Sequence, residues 1–298
     1  KLNIVDLPKL ESLQSSAHSL DSAPKKPTNQ QLRPIIHTDT RYEHNSDVAP
    51  LLTILRQAGF DTSEDSFQQT FLKALPKWSD VTKLYGEKPR IIGLETCQAF
   101  RESVKDETRK LGVAGNFNSG TNFLYELLQK NCQGATVLWQ VPWGKHYPAY
   151  FRCKRSKMIK YQENSSMAKD DTCKSVLPIV TVRDPYFWMQ SQCRQPYNAN
   201  FDHNKSTCPN IIPYDTDILD HKRYAHMKYV PIRVTYSKDP YLKYKFQSLA
   251  HFWNGWNDEY VGNRTDNFPR LIVRLEDLVF RGQEVIPQLC ECGGFKAR

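Results

Sequence analysis

Apolar positions are sparse and unpatterned over residues 1–50 and become periodic immediately afterwards. That first stretch holds five Pro, six Ser and one aromatic residue, Tyr42, with no Gly or Cys, and its six basic and six acidic residues cancel. So few large apolar groups cannot offset the entropy of ordering the chain, so residues 1–50 read as a flexible stem or linker. Pro34-Ile35-Ile36 is the place where an ordered arm could instead lie on the domain. Next, Leu51, Leu52, Ile54 and Leu55 form an apolar helical face that stops at Gly59, a residue suited to a helix C-cap. Phe67, Phe71, Leu72 and Leu75 repeat at helical spacing until Pro76.

The centre of the chain alternates between two periods. Leu111–Gly115 is a short apolar run that breaks into Asn116-Phe117-Asn118-Ser119-Gly120, and a helical pattern follows through Phe123, Leu124, Leu127 and Leu128. Thr136–Trp139 and Val176–Val182 (VLPIVTV) read as further strands. The latter runs into Arg183-Asp184-Pro185, where Asp184 suits the N-cap and Pro185 the first turn of a helix. A long helix is expected around Tyr241–Tyr260, with Leu242, Phe246, Leu249, Trp253, Trp256 and Tyr260 inward. A late strand is expected at Leu271–Leu275 and a closing helix at Glu276–Cys290, its acidic pair capping the first turn. Strands alternating with helices predict an α/β domain over residues 51–298, a parallel sheet flanked by helices.

Composition adds compartment and partner. In 298 residues, 41 Lys+Arg stand against 32 Asp+Glu, a formal charge of +9, which predicts an anionic partner. More than half of that excess, +5, falls within residues 140–175. No apolar run approaches the roughly 18–20 residues of a membrane span. The chain begins at Lys1 rather than Met, so an upstream anchor is expected to be missing. Eight Cys lie beyond residue 50; Cys153/Cys173 and Cys193/Cys208 bracket polar loops where a disulfide would staple the chain. Cys290-Glu291-Cys292 has no second pair at zinc spacing, so no metal is assigned. Sequons at Asn164, Asn204 and Asn263 fall in expected loops and, with the polar stem, favour a lumenal domain of a Golgi type II membrane protein; a cytoplasmic placement is the alternative.

The segment Gly115–Asn122 carries the chemistry. A Gly-bounded turn between a strand and a helix aims backbone N–H groups and the helix's partial positive charge at one point, which suits phosphate oxygens. Ser119 and Thr121 add hydroxyls. The spacing G-x4-G matches a Walker A loop, but Thr121-Asn122 stand where Lys-Ser/Thr belongs, which disfavours an ATP- and Mg-dependent kinase. An ordinary tight βα turn is the alternative for the loop taken alone. Further on, Arg183 leaves a strand end and Ser191 follows two helical turns later, so both can reach one phosphate.

This combination resembles the P-loop sulfotransferase family, whose members use 3′-phosphoadenosine 5′-phosphosulfate (PAPS) and release 3′-phosphoadenosine 5′-phosphate (PAP). In that resemblance Asn118, Ser119, Gly120, Thr121 and Asn122 form the 5′-phosphosulfate loop, and Arg183 with Ser191 the 3′-phosphate site. Val273-Arg274-Leu275-Glu276-Asp277-Leu278 is similar to the family's strand-to-helix RYEDL element, and the three pieces span roughly residues 110–290. The family commonly has Lys or Arg where this chain has Asn118, which bears on catalytic rate. The basic Gly-rich tail of cytosolic members is not visible after Phe295, which bears on donor affinity.

Sulfuryl transfer needs a base for the acceptor hydroxyl and a cation for the departing phosphate. His146 is the candidate base, since imidazole titrates near neutrality and the resemblance puts a catalytic His in a similar place; a packing or surface histidine is the alternative. Lys145 can supply the cation that Asn118 does not. Residues 220–245 interleave Lys and Arg with Tyr, which suits an anionic carbohydrate acceptor; no nucleic-acid fold signature accompanies them, and a solvated face is the alternative. The expectation is a PAPS-dependent sulfotransferase acting on a hydroxyl, most simply of a carbohydrate. A kinase and a catalytically weak nucleotide- or glycan-binding member are the rivals.

Overall fold

In the computed structural model, the described residues are 47–57, 59, 62, 75–153, 173–201, 231–236, 243–262 and 268–298. The stem to residue 46, the helix expected through Phe67 and Phe71, the three sequons and most of the basic-aromatic stretch lie outside them. Helix α1 (Ala49–Gln57) starts at Ala49, and Asp47 accepts hydrogen bonds from Ser79 N–H (2.7 Å) and Ser79 Oγ (2.8 Å) on α2 (Trp78–Tyr85). Gly59 follows α1 at φ +85°, the left-handed conformation that ends helices.

Strands β1 (Ile91–Ile92), β2 (Lys110–Gly115), β4 (Thr136–Leu138), β5 (Val176–Val182) and β9 (Leu271–Arg274) form a sheet in the order β1-β9-β5-β2-β4. Only the β1–β9 pair is antiparallel. Because side chains alternate along a strand, the sheet builds two cores. Leu111, Val113, Leu177, Ile179, Leu271 and Val273 pack on α3 (Cys97–Ser103), α4 (Thr121–Asn131) and α7 (Leu275–Cys292). Ala114, Val180 and Ile272 face α5 (Pro185–Arg194) and α6 (Leu249–Val261) across the sheet. The result is a mixed α/β architecture with a mostly parallel central sheet flanked by helices.

Two shorter sheets complete the described body. β3 (Cys132–Gln133) pairs with β10 (Lys296–Ala297), and β6 (Ala199–Asn200), β7 (Ile232–Thr235) and β8 (Lys243–Phe246) form an antiparallel meander. β8 corrects the long helix expected from Tyr241. Lys243–Phe246 is extended, with Arg233 opposite Lys245 and Val234 opposite Tyr244, and α6 starts only after Ser248, whose Oγ accepts from His251 N–H (3.1 Å). Phe246 continues the helical series of Leu249 and Trp253 and also alternates with Tyr244 at a period of two, so the pattern alone did not separate strand from helix.

α7 runs on to Cys292 but is broken at Arg281 (φ −138°, ψ 31°). The expected capping role of its acidic pair is replaced by burial. Asp277 accepts from Arg274 Nε (2.7 Å), Arg281 Nη1 (3.3 Å) and Arg90 N–H (3.1 Å). Disulfides join Cys97–Cys292, Cys132–Cys290 and Cys153–Cys173, the last as expected from sequence. Cys193 is also disulfide-bonded, and its expected partner Cys208 lies outside the described residues. Among the described residues no helix is long and apolar enough to cross a membrane.

Candidate functional site

The strand order fixes where a ligand can enter. From β2 the chain crosses through α4 to β4 on one side, then returns to β5 on the other side of β2 and continues outward to β9. The direction therefore reverses between β2 and β5, and in open parallel sheets the crevice at the carboxyl ends of such a pair is the ligand site. Three strand-to-helix junctions converge there: β2 to α4, β5 to α5 and β9 to α7.

The first junction is Asn116–Gly120. Gly115 admits no side chain, since an added Cβ would collide with Ser119 Oγ and Thr181 Oγ1. Gly120 sits at φ +83°, and an added Cβ would lie 2.5 Å from Leu275 Cδ1, so the third junction packs on the loop. No side chain caps α4, and the first helical bond is Leu124 N–H to Gly120 O (3.0 Å), so the N–H groups at the turn head the helix. The Ser119 hydroxyl turns inward to Asn116 O (2.7 Å) and Thr181 Oγ1 (3.0 Å), which braces the loop. Asn116 spends its Oδ1 on Phe117 N–H (2.8 Å), while its Nδ2 is buried with no partner among the described residues. Asn118, at φ +58°, turns its side chain away to donate to Gln195 O (2.8 Å).

The second junction meets the first directly. Arg183 Nη1 donates to Asn118 O (3.1 Å) and to Ser191 Oγ (2.8 Å), so the sequence-predicted Arg–Ser pair and the loop are one cluster. Asp184 caps α5 by accepting from Tyr186 and Phe187 N–H, with Pro185 in the first turn, as the sequence predicts. Trp253, expected simply as core, donates its indole N–H to Arg183 O (3.0 Å). No carboxylate among the described residues is within ion-pair distance of Arg183; the nearest influence is Glu276 on α7, whose Oε1 accepts from Asp184 N–H (3.1 Å). Burial lowers Arg183 from its ordinary value, partly offset by the Glu276 charge, and raises the Glu276 carboxyl.

Lys145 and His146 arrive from the segment after β4. Lys145 is 3% exposed and donates to Asn122 Oδ1 (2.8 Å), with its ammonium 3.2 Å from the Trp139 ring centre. Burial lowers it to about 8 from 10.5. A cation held by an amide and an indole face, with no carboxylate partner among the described residues, leaves its charge to be met by a ligand anion. His146 Nδ1 lies 2.8 Å from Gly115 O, and a carbonyl can only accept, so Nδ1 carries the proton and Nε2 the lone pair. Burial lowers its pKa below 6.5. Its ring rests 4.7 Å from that of Phe117, and Trp256 Nε1 holds its carbonyl (2.8 Å).

No family model, curated protein or solved structure matches this chain in sequence or structure comparison. The site's chemistry is therefore read from its own groups. Two cations with no acidic partner among the described residues, an uncapped helix start and an amide N–H orphaned among them all invite an anion; beside them stands the His146 imidazole. Sequence reasoning missed Trp139, Asn116, Gln195 and Tyr197, because nothing in residue type announces a cation–π partner, an orphaned amide or a positive φ.

Proposed function

We propose that the chain is a PAPS-dependent sulfotransferase acting on a hydroxyl of a carbohydrate, built on a P-loop-type domain carried by an N-terminal stem. The observation that carries this reading is the junction of Arg183 with Asn118 O and Ser191 Oγ at the sheet's switch point. There a guanidinium without an acidic partner among the described residues stands beside an uncapped helix N-terminus, two separate places for two separate anionic groups. A donor with a 5′-phosphosulfate and a 3′-phosphate presents two such groups. The orphaned Asn116 Nδ2 and the carboxylate-free Lys145 fit the same donor.

Bound there, the donor supplies a sulfuryl group: the acceptor oxygen bonds sulfur as the sulfur–oxygen bond to the 5′-phosphate breaks, its electron pair leaving on that phosphate. His146 Nε2 takes the acceptor proton, its tautomer set by Gly115 O. Lys145, tied to Asn122 at the head of α4, meets the charge that grows on the phosphate. Arg183 and Ser191 hold the 3′-phosphate and so fix the donor's register. The three disulfide pairs among the described residues agree with a secretory or lumenal setting, and we place the protein in the Golgi lumen.

Thermal shift tests the donor. PAP at 100-fold over its Kd stabilises by about 2.7 kcal/mol. A shift with ATP and Mg but none with PAP overturns the reading. One observation favours a weaker relative, a binder with little turnover: the Asn118 amide is engaged at Gln195 O, away from a leaving group. Transfer of labelled sulfate from PAPS to glycans separates enzyme from binder.

A further inference from the structure

Tyr197 occupies a place that backbone energetics assign to another residue. Ala199 N–H donates to Pro196 O (2.9 Å), closing a four-residue turn with Tyr197 at its second position. Tyr197 has φ +50°, and among the described non-glycine residues only Asn118 and Cys153 share a positive φ. Turns with positive φ at that position take Gly, Asn or Asp, because a bulky side chain there is strained. The strain serves no burial: Tyr197 is 61% exposed. Strain kept at an exposed bulky residue is a mark of function when a site lies beside it.

The site is beside it. Gln195, two residues earlier, accepts the Asn118 amide through its carbonyl (2.8 Å), so this turn is bonded to the candidate donor loop. The Tyr197 ring lies nearly parallel to that of Phe117, at 15° and 6.0 Å, and Phe117 in turn touches the His146 ring at 4.7 Å. Tyr236 is also nearly parallel to Phe117 (15°, 6.2 Å), with a buried hydroxyl that has no partner among the described residues. An exposed aromatic ring thus stands one ring away from the candidate base.

We infer that Tyr197 is the acceptor platform, its ring taking the apolar C–H face of a pyranose whose hydroxyl is directed to His146 Nε2. This rests on the sulfotransferase reading and adds the residue that selects the acceptor class. An open platform covers one face of a sugar and leaves its other hydroxyls in water, whereas a phenol gains most from an enclosed apolar pocket. The strained turn sets the ring's position; substitution by a residue at ease with positive φ keeps the turn and removes the ring.

The test uses the full chain with PAPS and a fixed acceptor panel of chondroitin, heparosan, p-nitrophenyl β-galactoside and p-nitrophenol. Wild-type transfer to at least one saccharide is expected; transfer to p-nitrophenol alone, or to none of the panel, overturns the proposal. Tyr197→Asn is expected to raise the saccharide KM about tenfold or more, a loss in the range of one aromatic stacking contact. Its PAP affinity is expected to stay within about twofold and its melting temperature to be no lower, since Asn tolerates the turn. Tyr197→Trp, which keeps a flat face, is expected to hold KM near the wild-type value. An unmoved KM in Tyr197→Asn overturns the platform while the donor reading stands. A parallel loss of PAP affinity assigns Tyr197 to covering Phe117 and overturns it too. Failure of the wild type to bind PAP overturns the donor reading, and the platform with it.

Discussion

At the scale of single residues, His146 and Lys145 are both shifted by burial toward their neutral forms, and the shifts bracket a working range. The imidazole loses its proton below 6.5, so the base is free at neutral pH. The ammonium loses its proton at about 8, so the cation is present until then. The pH profile of kcat/KM, which reports groups of the free enzyme, is therefore expected to be a bell, with an acid limb below 6.5 and an alkaline limb near 8. Lys145→Arg is expected to move the alkaline limb upward, because guanidinium does not titrate there. A limb that stays put removes Lys145 from the reaction. His146→Ala is expected to cost roughly 10²–10⁴-fold in kcat while PAP binding persists. Lys145 also has a stability signature. With its folded pKa below its unfolded value of 10.5, the unfolded chain holds the proton more firmly, so stability rises as pH climbs from about 8 toward 10.5 and the cost is fully present at lower pH. A bound anion offsets that cost, so stabilisation by PAP is expected to be larger at pH 7 than at pH 9.5.

Among the elements, the β2–α4 turn tolerates the least change. Gly120 holds φ +83° with Leu275 Cδ1 at 2.5 Å from where a Cβ would stand, so Gly120→Ala must strain the backbone and push α7 from the loop. A loss of about 1–3 kcal/mol is expected from the conformation, read as a lower urea midpoint, together with weaker PAP binding. Unchanged PAP affinity in that variant shows that the turn does not form the anion site. The same turn shows what the sequence makes legible. Strands buried on both faces appear as unbroken apolar runs, so β2 and β5 could be found, and Asp184-Pro185 announced α5 through capping chemistry. The spacing from Arg183 to Ser191 carried their pairing, since both lie on one local strand-to-helix unit. What stayed hidden depended on distant partners or on backbone conformation. β8 carries aromatic residues that also fit a helical series, and only its pairing with β7 marks it as a strand. Asp277 looks like a helix cap until Arg90 and Arg281 are seen to claim it. Tyr197 carries no sign of its φ, and Trp139 none of the ammonium on its face.

Across the whole molecule, the two ends of α7 are held by different chemistry. Its first turn is fixed by Asp277, gripped by Arg274, Arg281 and Arg90 N–H, and there Glu276 supports Asp184 beside Arg183. Its last turn is fixed by two disulfides, Cys132–Cys290 and Cys97–Cys292, which close separations of 158 and 195 residues. Between the two ends the helix is broken at Arg281, so a displacement of the last turn is not carried rigidly to the first. Long-range disulfides act mainly on the unfolded chain, and losing one costs about 2–5 kcal/mol. The variant Cys132→Ala/Cys290→Ala is therefore expected to unfold at a clearly lower urea concentration. Below that transition it should bind PAP with the wild-type Kd, because nothing at the Arg183–Asn118–Ser191 cluster has been touched. Titrating PAP into both proteins well below the variant's midpoint, with circular dichroism to confirm that each is folded, separates the two effects. A PAP affinity that falls in step with stability means that α7 transmits strain through Arg281, and the candidate site would then answer to the redox state of a distant helix end.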